Sequence, residues 1–295
     1  MSQAPVISPP KSRPKPDHQT VEFRILGALA VSRDGKPVAL GGPKQRLVLA
    51  LLILAANRVV SADRLIDQVW GEEPPEAARG TLQAYVSRLR KALGSGRIEA
   101  RPPGYTLNAT REEVDAGRFE RLVADARSRL ETDPQAARSL LDIALDLWRG
   151  PALDDLGGER AMRAEISRLE EQRLAAIEDR IDARMALGHH AQLVGELEGL
   201  VAEQPLREPF SAALMLALYR SGRQAEALAA FERMRHRIGE DLGVDPSAAL
   251  RRLHEQILKQ DPDLVPKGRR LRGYQLIERI GGRRPVLQRL GHRGP

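Results

Sequence analysis

Residues 80–94 read GTLQAYVSRLRKALG, and two sets of side chains in this stretch would face opposite ways on a helix. Leu82, Val86, Leu89 and Leu93 recur at helical spacing and define one apolar stripe. The other side carries Gly80, Ala84, Ser87 and Lys91, flanked by Thr81, Gln83 and Arg88, and the stretch contains no acid. A solvated helix face is normally laced with Glu–Lys pairs. Small, hydrogen-bonding and cationic residues without carboxylates suit contact with a polyanion instead. The major groove of B-DNA admits one α-helix, and its base edges are read by short polar side chains and by Arg or Lys. Gly80, Ala84 and Ser87 would let the backbone come close, while Thr81, Gln83 and Arg88 could reach base edges or phosphates. Arg90 and Lys91 lie later in the helix, where the groove curves away, so phosphate contacts are expected there.

Other chemistries find little footing. The chain has no cysteine, which excludes disulfides, thiolate catalysis and cysteine-ligated zinc. It contains no HExxH, GxGxxG, Walker or serine-elbow pattern. His189 and His190 are adjacent, so they would point apart on a helix, and no carboxylate accompanies them at ligand spacing. Trp70 and Trp148 read as core anchors rather than ligand platforms. No enzyme, cofactor or metal is expected. No secretory segment or apolar run of membrane-spanning length is present; Leu47–Ala56 is far too short. A cytoplasmic, nucleoid-associated protein without a membrane partner is the expectation.

The elements that would hold residues 80–94 can be read outward from it. VEFRILG and ALAVSRDGKPVAL suggest three short antiparallel strands with Asp34-Gly35 at a hairpin turn. Pro43 stands at a helix start, and QRLVLALLILAAN gives a nearly all-apolar core helix. Ser61 is a plausible N-cap for ADRLIDQVWG, whose Leu65, Ile66, Val69 and Trp70 would face inward. The loop GEEPPEAA then leads into the helix quoted above. RIEARPPGYTL follows as a second hairpin around Pro102-Pro103-Gly104, bearing Arg97, Arg101 and Tyr105. Strands, three helices and a terminal hairpin make a helix-turn-helix with a wing.

From about Asp115 the pattern is continuously helical. Phe119, Leu122, Val123, Ala126 and Leu130 form one stripe; Leu140, Leu141, Ala144, Leu145 and Trp148 form another. Met162, Ile166, Leu169, Ile177 and Ile181 mark a longer helix ending at Gly188. A shift of 34 residues aligns Gly188 with Gly222, Ala191 with Ala225, Val194 with Leu228, Leu197 with Phe231 and Leu200 with Met234. That period is the tetratricopeptide signature, with an unrelated helical bundle as the alternative. The fold class is therefore mainly α: a winged helix-turn-helix over residues 21–110, then an all-α tetratricopeptide-like domain over 111–262. Residues 1–20, with five prolines, read as a disordered arm. Residues 263–295 read as a basic disordered tail.

Charge follows the same divisions. Residues 1–110 hold 16 Lys/Arg against 9 Asp/Glu, residues 111–262 hold 22 against 29, and the last 33 hold 9 against 2. Over residues 76–110 the count is six basic to two acidic. A basic tail can merely solubilise, but a basic domain with an acid-free helix face points to nucleic acid.

TLQAYVSRLRKALG followed by RPPGYTL resembles the recognition helix and wing of response-regulator effector domains. The span from VEFRILGALAV to GYTLN is similar to the Streptomyces antibiotic regulatory protein family. There, a winged helix is followed by a bacterial transcriptional activation domain of tetratricopeptide-like helices. DAGRFERLVADAR, LWRGPALDDL, EEQRLAAIEDRIDARMALG and the segment from LREPF to HEQIL match that second domain. The resemblance covers roughly residues 21–260. It implies a transcriptional activator that binds tandem direct repeats in double-stranded DNA, as a side-by-side homodimer, and recruits RNA polymerase to secondary-metabolite promoters. By the same resemblance Thr81, Gln83, Ser87 and Arg88 face the groove, and Arg101, Gly104 and Tyr105 lie on the wing. The loop Gly71–Ala77, with Glu72, Glu73 and Glu76, falls where related domains touch polymerase or its sigma factor; a plain solvated connector is the alternative. The chain lacks the receiver domain of ordinary response regulators, so no aspartyl-phosphate switch is expected. KGRRLRGYQLIERIG resembles the opening of a bacterial Ser/Thr kinase domain, but no glycine-rich loop, catalytic lysine or magnesium motif follows. The tail is read as a candidate remnant of a truncated fusion. Two alternatives remain: a tetratricopeptide adaptor whose basic domain docks an acidic protein, and a repressor with the same DNA-reading residues.

Overall fold

The computed structural model describes residues 20–265 and the backbone of two short strands beyond them, Tyr274–Ile277 paired antiparallel with Val286–Arg289. The expected arm before Thr20, and the expected tail outside 263–265 and those strands, lie outside the described residues.

Strand β1 (Val21–Arg24) pairs antiparallel with β2 (Ala30–Arg33), in register from Val21↔Arg33 to Arg24↔Ala30. Asp34 and Gly35 carry the chain into β3 (Lys36–Pro37) at φ 51° and 76°, the two positive values that a tight Asp-Gly hairpin needs. Helix α1 (Pro43–Leu54) starts on Pro43, whose fixed φ suits a first helical turn. Its residues 47–53 are buried on every side, as the unbroken apolar run requires. Each buried Leu or Val there contributes roughly 1.5–3 kcal/mol. After β4 (Val60–Ser61), the Ser61 hydroxyl accepts the Arg64 N–H at 3.2 Å and starts α2 (Ala62–Trp70). Leu65 and Val69 of α2 are buried, whereas Ile66 and Trp70, expected inside, are half-exposed. Helix α3 (Ala78–Leu93) buries Leu82, Val86, Leu89 and Leu93 against α1 and α2. The hairpin β5 (Ile98–Arg101) and β6 (Gly104–Leu107) follows, and β4 adds to it, giving the order β4-β6-β5.

Beyond the hairpin, Val114 bridges Phe23 of β1 and the chain enters α4 (Asp115–Arg127), α5 (Pro134–Leu145) and α6 (Arg163–Ala186). Helices α7 (His190–Glu203), α8 (Glu208–Arg220), α9 (Gln224–Leu242) and α10 (Ala248–Leu258) follow. Two compact units result among the described residues, one of 20–128 together with 139–176, the other of 129–138 and 177–265.

Within the first unit, residues after 110 satisfy the backbone of the β1–β2 loop. The buried Asp115 carboxylate accepts N–H groups from Ile25 at 2.8 Å, Leu26 at 3.1 Å and Ala116 at 2.8 Å. Asp155 accepts the Leu29 N–H at 2.6 Å and pairs with Arg46 of α1 at 2.5 Å. The Arg149 and Leu153 N–H groups donate to the Leu26 and Ile25 carbonyls at 2.9 and 3.0 Å. Ile25, Leu26 and Leu29 of this loop are thus pinned by groups about 90 to 130 positions away. Beneath this latch, Phe119 meets the Trp148 ring edge-on at 5.5 Å.

In the second unit α7 packs on α8, α8 on α9, and α9 on α10. The 34-residue repeat read in the sequence is present in the backbone. Gly188 (φ 80°) donates to Met185 O and His189 to Arg184 O; Gly222 (φ 82°) donates to Tyr219 O and Arg223 to Leu218 O. Both helices end on the same left-handed glycine cap, one repeat apart. Leu197 and Phe231, aligned by the same shift, are both buried.

Candidate nucleic-acid interface

Helix α3 is held at its buried stripe and at both flanks, which defines what it leaves outward. On one flank Tyr85 stacks on Trp70 of α2, centroids 6.1 Å apart and planes 9° from parallel. Lys44 of α1 sits 5.4 Å over the same Trp70 ring. On the other flank Arg90 turns toward the hairpin: its Nε–H donates to the Ile98 carbonyl at 2.8 Å and its guanidinium lies 5.9 Å over the Tyr105 ring. Between the flanks, Gly80, Gln83, Ala84, Ser87, Arg88 and Lys91 are exposed and Thr81 is half-exposed. No acid stands in α3, and no side chain caps its first turn.

Gly80 is informative. A Cβ added there would meet nothing within 4 Å, so no packing among the described residues requires glycine. Glycine within a helix destabilises it by about 1 kcal/mol relative to alanine. The open space makes sense if something outside the chain comes close to the backbone.

The hairpin is fixed differently. A Cβ on Gly104 would lie 1.9 Å from the Val60 carbonyl oxygen, so only glycine lets β6 pair with β4. Arg101 is exposed near the hairpin tip and pairs with Glu99 at 2.9 Å. Hydrogen bonds from Arg101 and then Asn108 hold the Glu99 carboxyl below its ordinary value. Arg97, counted among the wing's cations in the sequence, bonds instead to Glu113 at 2.8 Å, away from the exposed tip. Tyr105 is half-buried beneath Arg90.

The loop between α2 and α3 opens at Gly71, whose φ of 61° closes α2. Glu72, Glu73 and Glu76 are all exposed on it. The Trp70–Tyr85 stack lies at its base.

Sequence reasoning missed Arg79, an exposed cation in the first turn of α3 that pairs with Asp63 of α2 at 2.5 Å. The signal was present one residue before the quoted stretch. It also missed the Lys44–Trp70 contact, which joins residues 26 positions apart and leaves no local trace. Of the histidines, His190 is buried with Nδ1 3.5 Å from Met185 Sδ, and His254 stacks on Phe231 at 4.0 Å. Among the described residues no group of three or more His, Asp and Glu could hold a metal ion, and no helix is long and apolar enough to cross a membrane.

Comparison with known proteins matches residues 35–107 to the family described as "Transcriptional regulatory protein, C terminal" and residues 114–258 to "Bacterial transcriptional activator domain". The chain is 41% identical to the transcriptional regulator RedD of Streptomyces coelicolor, over 83% of this chain and 72% of that one. It is 37% identical to the regulatory protein DnrI of Streptomyces peucetius, covering 84% of this chain and 96% of DnrI. Identity to the regulatory protein AfsR of Streptomyces coelicolor is 43%, but the chain spans only 25% of AfsR. The solved structure "Mycobacterium tuberculosis EmbR in complex with low affinity phosphopeptide" superposes with a TM-score of 0.80 at 39% identity, over 83% of this chain and 66% of that one.

Proposed function

Since this chain belongs to the Streptomyces antibiotic regulatory protein family of DNA-binding transcriptional regulators, we propose that it is a cytoplasmic, nucleoid-associated activator that reads tandem direct repeats through α3. In this reading Thr81, Gln83, Ala84, Ser87 and Arg88 meet base edges in the major groove, Lys91 meets a phosphate, and the hairpin with Arg101 lies along the adjoining backbone. Two copies bind side by side on successive repeats. The exposed loop bearing Glu72, Glu73 and Glu76 then faces RNA polymerase, an acidic surface suited to a basic sigma-factor surface, and promoters of secondary-metabolite genes are the proposed targets. Both families matched are regulatory, which supports recognition rather than catalysis.

One observation carries the reading: an exposed, acid-free helix sector, with an unneeded glycine in it, bounded on both sides by side chains that fasten the helix to its own domain. Affinity should come largely from phosphate contacts and so fall steeply with salt. The test is Arg88→Ala in the full chain, measured on a duplex that the wild-type chain selects from a random-sequence pool. A loss of roughly 1–3 kcal/mol with relaxed preference at one base position is expected. Unchanged affinity and an unchanged footprint would refute the assignment.

A further inference from the structure

A reading helix and a wing can engage one duplex only if the angle between them is set. The covalent link sets it poorly: Gly94 and Gly96, both at positive φ (99° and 84°), flank Ser95 between α3 and β5. Buried Ile98 and Leu107 and the β4–β6 pairing hold the inner side of the wing, but an open cleft of about 660 Å³ lies between the end of α3, this turn and β5, so packing does not fasten its outer edge. The geometry of β5 shows what fastens that edge. Asn108 N–H bonds to the Arg97 carbonyl at 2.8 Å, and Ile98 stands opposite Leu107. In an antiparallel ladder this makes Ile98 and Leu107 a non-hydrogen-bonded pair, with the Ile98 carbonyl turned away from β6. Because β5 is the edge of the order β4-β6-β5, that carbonyl faces open space. Arg90 supplies its donor, reaching from the flank of α3 with Nε at 2.8 Å, and the rest of its guanidinium lies over Tyr105 on the neighbouring strand.

We propose that Arg90 is a positioning residue, fastening the open edge of the wing to the reading helix so that both meet one duplex at a fixed angle, with the Tyr105 ring as the seat of its guanidinium. This rests on the DNA-reading proposal above and changes one part of it: Arg90 acts through the wing, whereas its neighbour Lys91, exposed on the outward sector, acts on phosphate.

Lysine separates the two roles. A phosphate contact needs a positive charge, which lysine supplies. The fastening needs a planar group that donates through one edge while its face lies on a ring, which lysine cannot reproduce. The full-length Arg90→Lys, Arg90→Gln, Tyr105→Leu and Lys91→Ala variants are titrated against the pool-selected duplex over a range of salt, with hydroxyl-radical footprints. Arg90→Lys should weaken binding about tenfold or more, the effect of losing one charge-assisted hydrogen bond. Its salt slope should match wild type, and protection should vanish on the wing flank alone. Lys91→Ala should instead lower the salt slope by about 1 and keep the footprint. Wild-type affinity and footprint for Arg90→Lys would overturn the proposal. So would Arg90→Gln lowering the slope by about 1 with the footprint intact, which marks a direct phosphate contact. If thermal melts show that the Arg90 variants do not fold, Tyr105→Leu decides: it keeps every charge and must lose the same flank, and an intact footprint overturns the inference. A wild-type chain that selects no duplex at all defeats the DNA-reading proposal itself, a result distinct from each of these.

Discussion

Replacing Asp115 by alanine removes a single acceptor group that serves three buried donors. The Asp115 carboxylate takes the N–H groups of Ile25, Leu26 and Ala116 at 2.8–3.1 Å, and all three residues are buried. Each buried N–H left without an acceptor costs about 1–3 kcal/mol. Taking the low end, because water can enter the space vacated by the side chain, gives a loss of roughly 3–5 kcal/mol. Against a typical total of about 5–15 kcal/mol this is a large share. Urea unfolding of the full chain, followed by circular dichroism, reads the change directly. Asp115→Asn keeps one acceptor oxygen and should cost less. It also carries a pH signature. Burial pushes the Asp115 carboxyl above its ordinary value, outweighing the N–H groups of Ile25, Leu26 and Ala116 and the nearby Arg149, which pull it down. The folded state therefore holds this proton more tightly than the unfolded chain. The associated stability is fully present below the ordinary aspartate range and is lost as pH rises through the raised value. The advantage of wild type over Asp115→Asn should accordingly shrink as pH increases across that window. An Asp115→Ala protein within 0.5 kcal/mol of wild type, or an advantage that grows with pH, would refute the reasoning.

Gly104→Ala places a methyl 1.9 Å from the Val60 carbonyl, so β4 and β6 must part. A loss of about 3 kcal/mol or more is expected in urea unfolding, together with weaker DNA binding. Glu72→Gln with Glu73→Gln should leave DNA affinity unchanged, since both side chains are exposed on the loop, while lowering transcription from a reporter. Equal losses in the two assays would move that loop's role to folding or binding.

How much could be read in advance depended on how local each cause is. The stripe Leu82, Val86, Leu89, Leu93 is a helical period within one segment, and all four residues are buried. The Ser61 cap and the Asp34-Gly35 turn depend on two or three neighbouring residues, and both stand where the sequence put them. The 34-residue shift was visible because a glycine ends both helices. Long cations behaved otherwise. Periodicity gives the direction of a Cα–Cβ bond, not the destination of a guanidinium several bonds further on, so Arg90 and Arg97 were counted as outward charges yet turn to Ile98 and Glu113. Trp70 and Ile66 fit an inward stripe on α2, but that helix ends at the surface, where Trp70 meets Tyr85 and Lys44. Asp115 and Asp155 serve a loop 90 and 126 residues earlier, and nothing near them in the sequence announces it. Gly104 was assigned to the wing by resemblance; the reason it must be glycine is a strand 44 positions away.

Ser87→Glu tests the central claim most directly. Ser87 is exposed in the middle of the acid-free sector, so a carboxylate there should leave stability within about 0.5 kcal/mol. Placed against a phosphate-lined groove, the same carboxylate should reduce affinity for the pool-selected duplex at least about a hundredfold, since juxtaposed like charges cost several kcal/mol. A folded Ser87→Glu protein that binds that duplex as wild type does would mean that this face of α3 does not meet DNA.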